Sequence, residues 1–210
     1  MRARHAPKPN ARKFNVLHPK YLDLAWHYRL HHYAGLKGAQ FHALLYSSLD
    51  GGLKAMIEAD LFGQMRTGAA SGLASRHMAN PDAHTLAVIG TGRQARAQAV
   101  AVCAVRPIKR VVVFSRSAER RQTFARGLEK ELHIETSDAP SAQACVAHAN
   151  IVVTITKAAD PVCLARWLGE GVHVNAAGAN AADRREVDDD MVLRPPSRRR
   201  TTSSRATSRG

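Results

Sequence analysis

Ten consecutive residues constrain this chain most: Leu86-Ala87-Val88-Ile89-Gly90-Thr91-Gly92-Arg93-Gln94-Ala95. A short run of buried-strand residue types enters a GxGxxA turn, and a stretch with helical apolar spacing follows. Each small residue has a physical task. Gly90 permits the tight turn, Gly92 lets the backbone approach a diphosphate, and Ala95 lets the helix pack close to the strand. The helix N-terminus then offers unpaired N–H groups to the phosphates. The glycine pattern alone is weak evidence. Its place between a strand and a helix makes Gly90, Thr91, Gly92, Arg93, Gln94 and Ala95 the predicted dinucleotide contacts.

The chain around this unit repeats the same alternation. Strands are predicted at 85–89, 110–114, 132–136, 151–156 and 172–176. Helices are predicted at 93–105, 117–128 (with Ser117 as cap) and 141–149. Strands joined through helices of this length pair in parallel by right-handed crossovers. Their continuous Val/Ile runs suit strands buried on both faces. The expected fold class is therefore α/β, a Rossmann-type parallel sheet with helices on both faces.

Upstream, the pattern changes. Residues 1–20 have no period and are expected to be irregular, and 21–33 fit helix or strand equally. Residues 41–45 and 53–57 read as strands around a hairpin turn centred on Asp50-Gly51. Asp60 is expected to cap a helix over 61–79, with apolar residues three and four apart. That helix holds Gly68 and Gly72. Glycine costs a helix about 1 kcal/mol relative to alanine, so two of them imply that another backbone or a ligand comes close. Asn80-Pro81 ends it. The expected organisation is a partial α+β domain over 1–60, a connecting helix over 61–80, the dinucleotide-binding domain over 81–193 and a basic tail over 194–210.

The formal net charge of +14 suggests nucleic acid until its distribution is considered. Residues 1–20 and 194–210 hold six Lys/Arg each and no acid, which leaves 19 basic against 17 acidic residues in between. A nucleic-acid-binding fold places its charge on one structured face, usually among aromatics. The tail 194–210 has none and too little apolar content to order itself. No specific nucleic-acid partner is expected. No apolar run spans a membrane. Three cysteines without a CxxC pair argue for reduced thiols filling small spaces, and hence for a cytoplasmic protein.

Cofactor preference is read at the end of the second strand. An acid there would hold the ribose hydroxyls of NAD. The chain has Phe114-Ser115-Arg116-Ser117 instead. Arg116 can pair with a 2′-phosphate, and Ser115 and Ser117 can donate to it. NADP(H) is therefore expected over NAD(H). Thr154, Asn175 and Gly178 lie at predicted strand ends, where such sheets bind ligands, and complete the expected cofactor contacts. Arg66, among small residues in Arg66-Thr67-Gly68-Ala69-Ala70, can clamp a carboxylate; a surface arginine is the plainer alternative. His27 and His31 are four apart, with His32 and His42 near. No carboxylate or cysteine completes a metal set, so no metal is expected.

Several blocks in order, QMRTGAASGLAS, TLAVIGTGRQARAQ, WLGEGVHVNAAGAN and REVD, resemble the ornithine cyclodeaminase / mu-crystallin family over about 33–193. The resemblance implies a homodimer with a Rossmann domain and a substrate and dimerisation domain. It implies a nicotinamide cofactor acting on a small amino or imino acid, by cyclodeamination of ornithine to proline or by ketimine reduction. It makes Arg66 a substrate-carboxylate ligand and Lys37 a substrate-binding catalytic lysine. Arg12 matches an upstream arginine only loosely. Asn180 stands where cyclodeaminases carry an aspartate. An amide cannot take a proton at neutral pH, so Asn180 favours imine reduction. Arg184 falls where they have a basic residue near the substrate. The alternative is a cofactor-binding protein without turnover.

Family members are longer, so the chain is expected to be truncated at both ends. A shift of two bases in a GC-rich encoding of Thr201–Arg205 would give Asp-Leu-Glu-Gln, resembling an acidic stretch of the family. The tail is on this expectation an out-of-frame reading, and the nucleotide sequence decides it.

Overall fold

The computed structural model describes residues 14–16, 24–27, 42–47 and 50–193, the first two segments as backbone only. Two compact units divide the chain, 1–67 and 68–210.

The first unit contains an antiparallel meander in the order β1-β2-β3-β4: β1 (Phe14–Val16), β2 (Leu24–His27), β3 (His42–Tyr46) and β4 (Leu53–Glu58). At 14–16, β1 corrects the expectation that 1–20 is irregular, and β2 gives the strand reading at 24–27 within the ambiguous 21–33. Three residues of β1 are too few to show alternation; pairing with β2, Phe14 opposite His27, makes them a strand. The β3–β4 hairpin closes as its turn chemistry predicts. Gly51 takes φ of 71°, Ser47 N donates to Gly52 O at 2.8 Å, and the Asp50 carboxylate accepts from Gly52 N at 2.9 Å.

Helix α1 (Asp60–Met78) follows, with Asp60 as its first residue rather than its cap. An acid there complements the helix dipole. The buried residues of α1 all lie from Gly68 onward, and they are small. Gly68, Ser71, Gly72 and Ser75 are buried, while Leu61, Phe62, Met65, Leu73 and Met78 are exposed. The glycines explain this. A Cβ on Gly72 would lie 2.9 Å from the carbonyl oxygen of Ala101, and one on Gly68 would run into that of Ala97. Two helix backbones meet here, as the paired glycines implied.

The second unit is a five-stranded parallel sheet in the order β7-β6-β5-β8-β9. Its elements are β5 (Thr85–Ile89), α2 (Ala95–Cys103), β6 (Arg110–Phe114), α3 (Ala118–Leu132), β7 (Glu135–Asp138), α4 (Ala142–Val146), β8 (Ile151–Thr154), β9 (His173–Ala176) and α5 (Asp189–Leu193). The order reverses between β5 and β8, which puts a topological switch point at the end of β5. Both sheet faces are covered. Leu86, Val88, Val111, Val113, Ile151 and Val153 pack toward α2 and α3. Ala87, Ile89 and Val152 pack toward α4 and Cys163.

Several boundaries move: α2 is shorter than the expected 93–105, α4 than 141–149, and β8 ends at Thr154 before the expected 156. α3 runs a turn beyond the expected 128, ending where His133 adopts a left-handed φ of 54°. That pushes β7 to Glu135–Asp138 from the expected 132–136. Ser117 caps α3 as predicted, its hydroxyl accepting from Arg120 N at 3.3 Å.

Candidate functional site

The carboxyl end of β5 delivers Gly90 into a position only glycine can hold. Its φ is 113°, and a Cβ there would lie 2.5 Å from the carbonyl oxygen of Ile155. Its amide donates to Phe114 O at 2.8 Å. Gly90 is thus wedged between the exits of β6 and β8, at the switch point. Thr91 and Gln94 are half-buried, Gly92 and Arg93 exposed, and Ala95 wholly buried as the first residue of α2. Gly92 differs from Gly90: nothing lies within 4 Å of where its Cβ would be. No side chain caps α2, although Gln94 is at its N-cap. The Ala95 amide donates to Gly92 O at 3.0 Å, and no side chain caps the α2 amides beyond it; an open backbone ledge leading to them fits the phosphates of a dinucleotide.

At the exit of β6, the Ser115 hydroxyl donates to Ser117 O at 3.1 Å, which leaves it no proton for a phosphate in this arrangement. Ser117 uses its oxygen as a helix cap and keeps its proton. Arg116 is exposed and has no hydrogen-bond partner among the described residues. Arg121 braces the loop, its Nε donating to Asp138 at 2.8 Å and Nη1 to Ser115 O at 3.3 Å. No acid stands at the end of β6.

The exits of β8 and β9 rearrange the expected contacts. Thr154 is wholly buried, and its hydroxyl donates to Glu186 at 3.0 Å; its side chain faces no open space. The Asn175 amide is engaged at both ends, donating to Ser75 Oγ at 3.0 Å and accepting from His173 Nε2 at 3.2 Å. Burial and the nearby Arg106 push the His173 pKa down, against the opposing hydrogen bond to Asn175. Gly178 is buried against Thr156 and Glu186. These three therefore hold the strand ends together. Asn180 is exposed and Arg184 half-buried, and the two come together, Arg184 Nη1 donating to Asn180 Oδ1 at 2.6 Å.

Glu186 is the residue that sequence reasoning missed. It is 1% exposed and accepts from Thr154 Oγ1, from Thr156 Oγ1 at 2.7 Å, from Thr156 N at 2.5 Å and from Gly178 N at 2.5 Å. In the sequence it sits in a charged stretch, Asp183-Arg184-Arg185-Glu186, and looks like surface. Val187 after it and the REVD block were the only signals.

Arg66 is exposed on α1, two residues before the buried Gly68. Lys37 and Arg12 lie outside the described residues, as do His31 and His32. Among the described residues no group of three His, Cys, Asp or Glu could hold a metal. The cysteines are free. Burial pushes Cys103 up to about 11 and Cys145 and Cys163 up to about 12, so none is a ready nucleophile.

Residues 25–198 match the model of the Ornithine cyclodeaminase/mu-crystallin family. The chain belongs to this family. This ornithine cyclodeaminase/mu-crystallin chain is 37% identical over 138 residues to a Delta(1)-pyrroline-2-carboxylate reductase of Bacillus cereus, covering 66% of the chain and 42% of that protein. It is 28% identical to the ketimine reductase mu-crystallin of Rattus norvegicus over 73% of the chain and 48% of that protein. The chain thus spans about half, or less, of the length of these curated relatives. The solved Delta(1)-pyrroline-2-carboxylate reductase of Thermococcus litoralis, in complex with NADH and L-proline, superposes with a TM-score of 0.74 at 30% identity. That match covers 86% of the chain and 61% of that structure. Among the described residues, no helix of this family member is long and apolar enough to cross a membrane.

Proposed function

We propose that this chain binds a nicotinamide dinucleotide through Gly90–Ala95 and belongs to an NAD(P)-dependent enzyme acting on a small amino or imino acid, with reduction of a cyclic ketimine as the favoured reaction. The observation that carries the reading is the ledge at Gly92, open above and followed by uncapped α2 amides. The pyrophosphate rests there, with the amides of α2 as its donors. The chemistry a bound nicotinamide supplies is hydride transfer. Arg116 takes the adenosine end, and its guanidinium favours the 2′-phosphate of NADP(H). Asn180, held by Arg184, offers the substrate an amide in place of a base, which suits delivery of hydride to an imine better than deprotonation of an amine. Arg66 and Lys37 are assigned to the substrate carboxylate and to the reacting nitrogen. The domain division at 60 and 80 follows the same reading.

The exposed Leu53, Met56 and Ile57 of β4 and Leu61, Phe62 and Met65 of α1 support a homodimer. The free thiols fit a reducing, cytoplasmic setting.

Two substitutions test the cofactor assignment. Gly92→Ala meets open space, so thermal stability stays within about 1 kcal/mol of wild type. Dinucleotide affinity measured by fluorescence titration falls roughly tenfold or more as the methyl displaces the diphosphate. Unchanged affinity contradicts the reading. Arg116→Ala weakens NADPH by roughly tenfold and leaves NADH unaffected; an equal effect on both removes the 2′-phosphate assignment. Oxidation of NADPH with Δ1-pyrroline-2-carboxylate then tests turnover. Binding without turnover favours the non-catalytic alternative.

A further inference from the structure

Glu186 closes a loop upon itself. Its carboxylate accepts from Gly178 N, eight residues earlier. Its own carbonyl accepts from Val162 N at 2.9 Å and Cys163 N at 3.0 Å. The loop between carries the Asn180–Arg184 pair. The same carboxylate grips the exit of β8 through Thr154 Oγ1, Thr156 N and Thr156 Oγ1. That exit touches the fingerprint turn, since Ile155 O and Thr156 Cγ2 are the atoms a Cβ on Gly90 would strike. One buried carboxylate therefore joins the end of β8 to the loop after β9, while the glycine turn keeps its own bond from Gly90 N to Phe114 O.

A doubly wound sheet divides a dinucleotide between its two halves. β5, β6 and β7 form one half, with Arg116 at its edge. β8 and β9 form the other. Every group bonded to the Glu186 carboxylate belongs to the β8 and β9 half. We propose that Glu186 is a positioning residue for the nicotinamide half of the site: it sets where the 154–156 and 178–184 segments stand without touching the ligand itself. This rests on the dinucleotide reading above. Four donors, two of them backbone amides, converge on the carboxylate. An amide at this position can accept at one oxygen and must turn its NH2 toward donors. Both segments then shift, while the ledge at Gly92 and the β6 exit keep their own supports.

The test compares NADPH with 2′-phospho-ADP-ribose, which lacks only the nicotinamide, by calorimetric titration of the full chain (NADH and ADP-ribose serve if the chain prefers NADH). Wild type binds NADPH more tightly than the fragment. In Glu186→Gln the NADPH affinity falls roughly tenfold or more, while the fragment binds within about twofold of wild type. Thr156→Val, which keeps the shape and removes the donor to Glu186 together with the acceptor of Ala158 N, moves the same way, and Thr156→Ser restores wild-type behaviour. These two variants decide the matter if Glu186→Gln does not fold. Equal loss of both ligands in a folded variant means a general structural role and overturns the proposal. Unchanged binding of both, or a wild type that does not distinguish them, also overturns it. A wild type that binds neither ligand refutes the dinucleotide reading, and this inference falls with it.

Discussion

Gly90→Ala is expected to abolish dinucleotide binding and to destabilise the second unit by roughly 2 to 6 kcal/mol. Two independent effects add. The φ of 113° lies where side-chain-bearing residues are strained, at about 1–3 kcal/mol. The new methyl also meets the Ile155 carbonyl oxygen at 2.5 Å. That atom is fixed backbone, for Ile155 N donates to Ile89 O at 2.9 Å, so relief requires the β5–β8 exit to open, at about another 1–3 kcal/mol. Against a total stability of about 5–15 kcal/mol, the loss is large but need not unfold the chain. Urea denaturation measures it. A midpoint within error of wild type would show that the turn is not built as described. Gly92→Ala, further along the same turn, is the contrast: the ligand is lost and the fold kept.

The second large effect is expected at Gly178→Ala. Here φ is ordinary and the damage comes from packing. A Cβ would stand 2.5 Å from Thr156 N and 2.6 Å from Glu186 Oε1. Neither can yield cheaply, because Thr156 N and the carboxylate bond each other at 2.5 Å. The methyl must separate them or break the bond from Gly178 N to Glu186. Losing a hydrogen bond to a buried charge costs about 1.5–3 kcal/mol, and overpacking about 1–3 kcal/mol. The expected loss is roughly 2.5 to 6 kcal/mol by urea denaturation. A loss under about 0.5 kcal/mol, the size of a neutral surface change, would contradict the packing at this strand end.

The parallel sheet was legible because buried parallel strands announce themselves as unbroken Val/Ile runs, and because Gly90 and Ala95 bracket a turn with one physical solution. The small-residue content of α1 correctly announced a close backbone, yet apolar spacing misled about which of its residues are buried. Leu61 and Met65 share a face with Gly68 and Gly72 by helical spacing and are nonetheless exposed; where the two helix backbones meet, the buried residues are the small ones, because close contact selects for absent side chains rather than large ones. β1 escaped notice because three residues show no period and their pairing is nonlocal. At the site, types and places were legible but partners were not. Thr154, Asn175 and Gly178 do stand at strand exits, as their positions implied. What their polar groups bond to depends on Glu186 and Ser75, which are 32 and 100 residues away from their partners Thr154 and Asn175. Glu186 itself was masked by its charged neighbours. Local composition says solvated loop, and only the tertiary fold brings four donors to the carboxylate.

The account depends on a diphosphate lying along the backbone between β5 and α2. Equilibrium titration of the 210-residue chain with NADPH and NADH, followed through amide shifts of Gly90, Thr91, Gly92 and Ala95 in NMR spectra, tests it most directly. Saturable binding that moves these four amides first and most is the result predicted. Saturable binding that leaves them in place while moving another surface, or no binding at millimolar dinucleotide, would contradict it.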